Sequence, residues 1–188
     1  GSKLRNAIQA SSGEMLYIAD LSNIEARMLA WLAKEDDLVQ AFAAGEDVYS
    51  NFASQIYGKK VTKENKLERY VGKTAILGLG YGMGADKYQA ILKQGSPSID
   101  VTKDTALGIV TQYRAMYPNI PALWSIGKQL LFSMLDRTDM NTSYGPLAVA
   151  SNALKLPNDM YLQYPHLRFN AGEFVYDSDR NGITRTHG

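Results

Sequence analysis

From Ile24 to Met134 apolar residues return at intervals of three and four, and after Asp139 that rhythm gives way to Asn, Ser, Gly, Pro and Tyr with short alternating runs. The first spacing lines one stripe of an α-helix, and alternation lines one face of a strand. The expected fold is therefore mixed α/β and mainly helical, with a small β-rich tail. Met15–Asp20 (MLYIAD) is a short apolar run that ends at an acid and a turn-like Leu-Ser-Asn, which predicts a buried strand. Ile24, Met28, Trp31 and Leu32 follow at helical spacing, and Ser22 three before Glu25 has the form of a capping box. Further helices are predicted at about 37–44 and 47–57, separated by Gly45 and ended at Gly58, then at 65–82 and 85–94. After a turn at Gly95-Ser96-Pro97, Thr102 can cap a helix that Pro118 ends, and another spans about 120–136. Tyr161–Leu167 and Glu173–Tyr176 read as hairpin strands and Asp177–Gly182 as a turn.

Composition removes several kinds of chemistry. With no cysteine there is no disulfide, thiolate metal site or Cys nucleophile, and two histidines, His166 and His187, cannot build a multi-histidine centre. No apolar run approaches the ~18 residues of a membrane span. Gly1-Ser2 has the look of a cleavage scar and no signal peptide is visible, so an intracellular, cytoplasmic protein is expected. A net charge of +1 hides an acidic stretch at 35–47 and a basic one at 59–73. On spacing alone these are two solvated faces.

The basic stretch holds the strongest chemical signal. Arg69 and Lys73 are four apart, and Leu77 and Tyr81 continue the interval. Four residues turn a helix by about 400°, so each side chain lies only about 40° round from the last. Two cations so placed repel weakly, and a bound polyanion reverses that sign; the Arg fork and the Lys point charge both suit phosphate. Gly72, Gly78, Gly80, Gly82 and Gly84 crowd the same stretch. Interior helix glycines cost about 1 kcal/mol each, so the run needs a reason: close helix packing, a hinge or a ligand. Gly80-Tyr-Gly82-Met-Gly84-Ala85 also satisfies G-x-G-x-x-A, with Asp100 about twenty residues on, which leaves a dinucleotide-binding domain open provided that 75–79 is a strand. Asp20, at a strand end beside a helix start, is a candidate metal carboxylate. Asp177-Ser-Asp179-Arg-Asn181-Gly182 opens like a calcium loop, but residue 188, where the bidentate Glu belongs, is Gly, so a hairpin turn is the better reading. His166 and His187 have no visible partner.

Two long segments resemble a known family. Tyr17-Ile-Ala-Asp20-Leu-Ser-Asn-Ile-Glu25-Ala-Arg27-Met-Leu-Ala-Trp-Leu resembles motif A of family A DNA polymerases, the DNA polymerase I type. Arg69-Tyr-Val-Gly-Lys73-Thr-Ala-Ile-Leu77-Gly78-Leu-Gly-Tyr81-Gly82 resembles their motif B, the fingers helix that closes over the incoming nucleotide. Asp37–Tyr49 between them is similar to the phage branch. The resemblance divides the chain into a palm edge (1–34), helical fingers (35–138, with the motif B helix at about 65–82) and a β-hairpin-rich extension of the fingers (139–188).

The resemblance implies template-directed DNA synthesis, with primer-template DNA and dNTPs as partners and two Mg²⁺ ions as cofactor, in a bacterial or phage-infected cytosol. It implies that Asp20 and the carbonyl of Leu21 hold metal and that Glu25 sits against the sugar. Arg69 and Lys73 would grip the triphosphate, Leu77 would pack on the base, and Tyr81 would sit by the templating position, with Asn23 and Tyr49 beside the nucleotide. The family usually carries an aromatic at the position of Leu77 and often a phosphate-contacting His at that of Tyr49. Its motif C, with the second metal-binding aspartate, does not follow before Gly188. A palm-edge and fingers fragment, inactive without the remaining palm and thumb, is therefore expected; a non-catalytic half of a split polymerase stays open beside it.

Overall fold

In the computed structural model the described residues are 7–136, 143–145, 147–180 and 183–187. Seven helices and seven strands lie among them. The helices are α1 (Ile24–Ala33), α2 (Asp36–Ala43), α3 (Val48–Tyr57), α4 (Lys66–Leu79), α5 (Ala85–Gln94), α6 (Lys103–Met116) and α7 (Asn119–Asp136). Then come β1 (Ser143–Tyr144), β2 (Leu147–Ala150), β3 (Ala153–Lys155), β4 (Tyr161–Gln163), β5 (Arg168–Asn170), β6 (Glu173–Arg180) and β7 (Ile183–His187). The strands form two antiparallel meanders, β1-β2-β3-β4 and β5-β6-β7. The fold is mixed α/β and mainly helical, as the change of rhythm predicts.

Helices α1 to α6 and the start of α7 enclose one core, in which Phe52, Val71, Ala75, Tyr88, Leu92, Tyr113 and Ile120 are buried. Phe52 meets Tyr113 edge-on at 5.7 Å between ring centroids, a favoured aromatic geometry. A second cluster, Leu130, Met134, Val149, Leu154 and Leu167, fastens the far half of α7 to the β region. Thr102 caps α6 by accepting from the Thr105 amide, and Gly58 ends α3 with φ 59°. At the joint between α1 and α7, Glu35 is buried and accepts from the Asn119 amide at 2.9 Å. Burial raises its pKa above 4.5 against the opposing pull of that amide, with smaller pushes upward from Asp37 and Asp36.

Three local readings are overturned. Met15–Asp20 is an exposed coil, with Met15, Tyr17 and Ile18 at 74%, 85% and 81% exposure. A strand exists only beside a hydrogen-bonded neighbour, and none of the described strands pairs with this segment. Ser22 does not cap α1. Asn23 takes the cap position at φ 56°, without a side-chain cap bond, while the Ser22 carbonyl accepts from Arg27 Nε at 3.0 Å. Small residues, Ala26, Ala30 and Ala33, form the buried face of α1, whereas Ile24, Met28 and Trp31 are exposed. Finally, residues 177–180 belong to β6 rather than to a turn or calcium loop: Asp177 accepts from Arg168 and from Thr186 across the ladder. Asn181 and Gly182, the rest of that reading, lie outside the described residues.

The glycine run has a mixed explanation. A Cβ on Gly72 would overlap the Tyr49 carbonyl oxygen, so Gly72 lets α4 lie directly against α3. Gly82 makes the turn between α4 and α5 at φ 76°, where an L side chain is strained. Residues 75–79 lie inside α4, so the dinucleotide-binding reading, which needs a strand there, is excluded. His166 does have a partner, Asp177 Oδ2 at 3.3 Å, while the side chain of His187 is not among those described.

Candidate functional site

Helix α4 carries the cationic row. Its buried stripe, Val71, Gly72, Ala75, Ile76 and Leu79, faces the core and α3, which turns Lys73 and Leu77 outward. Opposite them the chain enters α1 through the left-handed residue Asn23, a conformation that asparagine tolerates better than most residues. Between the two segments lies a cleft of about 240 Å³ lined by Leu21, Asn23, Ile24, Glu25, Tyr49, Lys73 and Leu77. Residues about fifty positions apart in the chain thus share one wall-to-wall site. Asp20, next to Leu21, is exposed beside it.

The other candidates are placed around this cleft. Tyr49, at the start of α3, is buried, and its hydroxyl donates to Asn23 Oδ1 at 2.6 Å. Arg69 stands one turn before Lys73, outside the cleft lining, with its guanidinium over the Tyr49 ring at 5.3 Å. Its fork is occupied by Asp47: Nε donates to Oδ2 at 2.7 Å and NH2 to Oδ1 at 3.1 Å. Asp47 also accepts from the Ser50 hydroxyl and caps α3. Burial pushes the Asp47 carboxyl up, but the Arg69 fork and the Ser50 bonds outweigh it and hold it below 3.8. Sequence spacing carries no sign of this partnership, because capping explains Asp47 locally and Arg69 is 22 residues away.

Tyr81, beyond the end of α4, is 67% exposed and lines a neighbouring apolar cleft of about 350 Å³ with Ile24, Glu25, Met28, Leu29 and Leu32. Burial, the Glu25 charge and a hydrogen bond to Glu25, in that order, raise its phenol above 10.0. Glu25 therefore borders both clefts, with Lys73 and Leu77 on one side and Tyr81 on the other. Trp124 of α7 donates from its indole to the Gly80 carbonyl at 3.0 Å and so pins the end of this region to the core.

A carboxylate and a backbone carbonyl are hard oxygen donors, the kind that Mg²⁺ takes in small number beside substrate phosphates and water. Asp20 and Leu21 fit that chemistry as part of a site. Among the described residues no three acidic or histidine side chains gather as a complete protein cage.

The model of the family described as DNA polymerase family A matches residues 1–130. The chain belongs to that family. A thermostable DNA polymerase I of Thermus thermophilus is 30% identical over 122 residues, covering 65% of this chain and 14% of that protein. The DNA polymerase I of Pseudomonas aeruginosa is 34% identical over 122 residues, 65% of this chain and 13% of that protein. A DNA polymerase of Bacillus phage SP02 is 31% identical over 124 residues, 64% of this chain and 18% of that protein. The match thus spans less than a fifth of these family A relatives. No helix among the described residues is long and apolar enough to cross a membrane.

Proposed function

We propose that this chain supplies the nucleotide-binding part of a template-directed DNA polymerase, with residues 1–34 as palm edge, 35–138 as fingers and 139–188 as an extension of the fingers. The observation that carries the reading is the cleft in which Leu21, Asn23 and Glu25 face Tyr49, Lys73 and Leu77. Its chemistry is the attack of a primer 3′-oxygen on the α-phosphorus of a dNTP, with pyrophosphate leaving. Such transfer depends on positioning and charge neutralisation more than on covalent help from the protein. Lys73 places a cation on the triphosphate, Leu77 packs on the base, Glu25 closes the space a 2′-hydroxyl would need, and Tyr81 stands by the templating base. Arg69 joins Lys73 on the phosphates by sharing or leaving Asp47.

Asp20 and the Leu21 carbonyl would hold Mg²⁺, which supplies charge neutralisation at the reacting phosphate. The second carboxylate of such a site is proposed to come with the remaining palm, so the chain alone is proposed to bind dNTP without polymerising it. The exposed apolar surface of Met15, Tyr17, Ile18, Leu21, Met28 and Trp31 supports a further palm segment covering this side. The deciding experiment is titration of a fluorescent dNTP with Mg²⁺ present, using Lys73→Ala and Arg69→Ala. A tenfold or larger loss is expected in each; unchanged affinity in both variants would defeat the proposal.

A further inference from the structure

Beyond the nucleotide cleft, Tyr81 opens on its other side into a larger one of about 550 Å³, lined by Gly82, Arg114, Pro121, Trp124, Ser125 and Lys128. Lys128 also borders a third cleft of about 480 Å³, formed with Phe132, Phe169, Gly172, Glu173 and Phe174. The two clefts therefore meet at a single lysine. On α7 the residues Trp124, Lys128 and Phe132 are four apart, which sets them in one row about 6 Å per step along the axis. The row alternates aromatic ring, cation, aromatic ring. At its far end Phe132 meets Phe169 at 5.0 Å and Phe174 at 4.7 Å between centroids. Phe132 and Phe169 are 40% and 47% exposed, so this ring cluster is open to a ligand.

Charge gives the row its direction of use. Arg114 lies over the Trp124 ring at 5.7 Å, and neither Arg114 nor Lys128 makes an ion pair among the described residues. The other lysines and arginines with carboxylate partners, such as Arg69, Lys93 and Lys103, have their charge already answered. Two unanswered cations with exposed rings on either side match a polymer that alternates phosphates and flat bases. The one carboxylate on the path, Glu173, sits among the phenyl rings, where it can accept from an exocyclic amine of a base but repels a phosphate. Phosphates are thereby directed to Arg114 and Lys128, and bases to Phe132 and Phe169.

We propose that these two clefts form one track for a single-stranded polynucleotide, running from Tyr81 along α7 to the Phe132–Phe169–Phe174 cluster. The track reaches past residue 130, where the family match ends, onto the β5–β6 hairpin. Naming the strand as unpaired template ahead of the insertion site rests on the proposed function; the binding of a strand rests on the track alone.

The test is fluorescence anisotropy of a labelled oligo(dT) 12-mer over a salt series, with Arg114→Ala/Lys128→Ala, Phe169→Ala and, as control, Lys103→Ala. All four side chains are exposed, and thermal melting checks that each variant stays folded. The double variant is expected to bind about tenfold or more weakly and to lose about 1.4 from the salt slope, about 0.7 per phosphate contact on a single strand. Phe169→Ala is expected to bind about fivefold or more weakly with the slope kept, as for a lost stacking ring. The control should match the parent chain. Equal binding by all variants overturns the track, and so does a loss confined to the cation pair. Self-association that Phe169→Ala abolishes, without oligonucleotide affinity, also overturns it in favour of a contact between copies. A chain that binds the oligonucleotide through these residues but not dNTP keeps the track and loses its template assignment; the reverse result removes the track and leaves the nucleotide cleft untouched.

Discussion

The Tyr49 hydroxyl donates a 2.6 Å hydrogen bond to the side-chain oxygen of Asn23, joining the start of α3 to the left-handed residue that opens α1. Asn23 gives up its capping role for this bond. Two walls of the cleft between α1 and α4 are thereby tied together, and the tie predicts coupled effects. Tyr49→Phe, which removes only the hydroxyl, is expected to cost about 1 kcal/mol of stability. Asn23→Gly, which keeps the backbone at φ 56° comfortable, should cost about the same. In a double-mutant cycle read by urea unfolding, the two losses should fail to add by about 0.5–1.5 kcal/mol. Strict additivity would mean that the bond does no structural work.

Asp47 and Arg69 predict a pH dependence of known sign. The folded pKa of Asp47 lies below its ordinary 3.8, so the stability this residue contributes is complete above that value and is lost as pH falls through the lower folded one. Glu35 pulls the other way: its folded value is raised above 4.5, and stability falls as pH rises from there through the folded value. Asp47→Asn should therefore flatten the acid limb of a stability–pH curve while leaving the Glu35 slope in place. At neutral pH the substitution should cost about 1–2 kcal/mol, from the lost charge-assisted bonds to Arg69, since Asn caps a helix about as well as Asp. Urea midpoints taken from pH 2 to 7 on both chains measure it, and an acid limb unchanged in the variant counts against the pairing.

Two glycines of the same helix should respond differently to alanine. A Cβ at Gly72 runs into the backbone oxygen of Tyr49, which cannot move without separating α3 from α4, so Gly72→Ala is expected to destabilise by about 2–3 kcal/mol despite a better helix propensity. A Cβ at Gly78 meets only the flexible end of Met83, and there the propensity gain of up to about 1 kcal/mol offsets the crowding. Thermal unfolding of the two variants side by side decides it; similar losses at both sites would assign the run to flexibility instead.

The contrast among these residues shows what could be read in advance. The helices from α2 to α7 announce themselves through signals within a few residues, such as the Thr102 cap, Gly58 and the apolar stripes. Met15–Asp20 misleads because its composition is that of a strand while the pairing that makes a strand is not local. Helix α1 misleads in another way, since its bulky residues face outward and alanines face in. At the candidate site, the interval Arg69, Lys73, Leu77 is visible in the sequence. The pairs Asp47–Arg69 and Asn23–Tyr49, separated by 22 and 26 residues, depend on how α1, α3 and α4 pack and leave no periodic trace. The row on α7 was hidden because Trp124 and Phe132 look like ordinary core positions of an amphipathic helix.

Leu77 offers the sharpest test of the nucleotide cleft. It is half-buried, lining both the cleft shared with Glu25 and Lys73 and an apolar one with Tyr70, Met83 and Ile91. If its outer face carries the incoming base, a planar ring there should hold that base better than a branched chain does. Leu77→Phe is expected to tighten dNTP binding by about three- to tenfold, in line with about 1 kcal/mol for an aromatic pair. The gain should be similar for all four bases, because each presents a π face. Leu77→Ala should weaken binding by a comparable factor, and neither substitution should change the response to Lys73→Ala, which acts on the phosphates. Titration of the four dNTPs against the three chains measures this. Equal affinities throughout would place the base elsewhere and leave Leu77 a packing residue between α4 and α5.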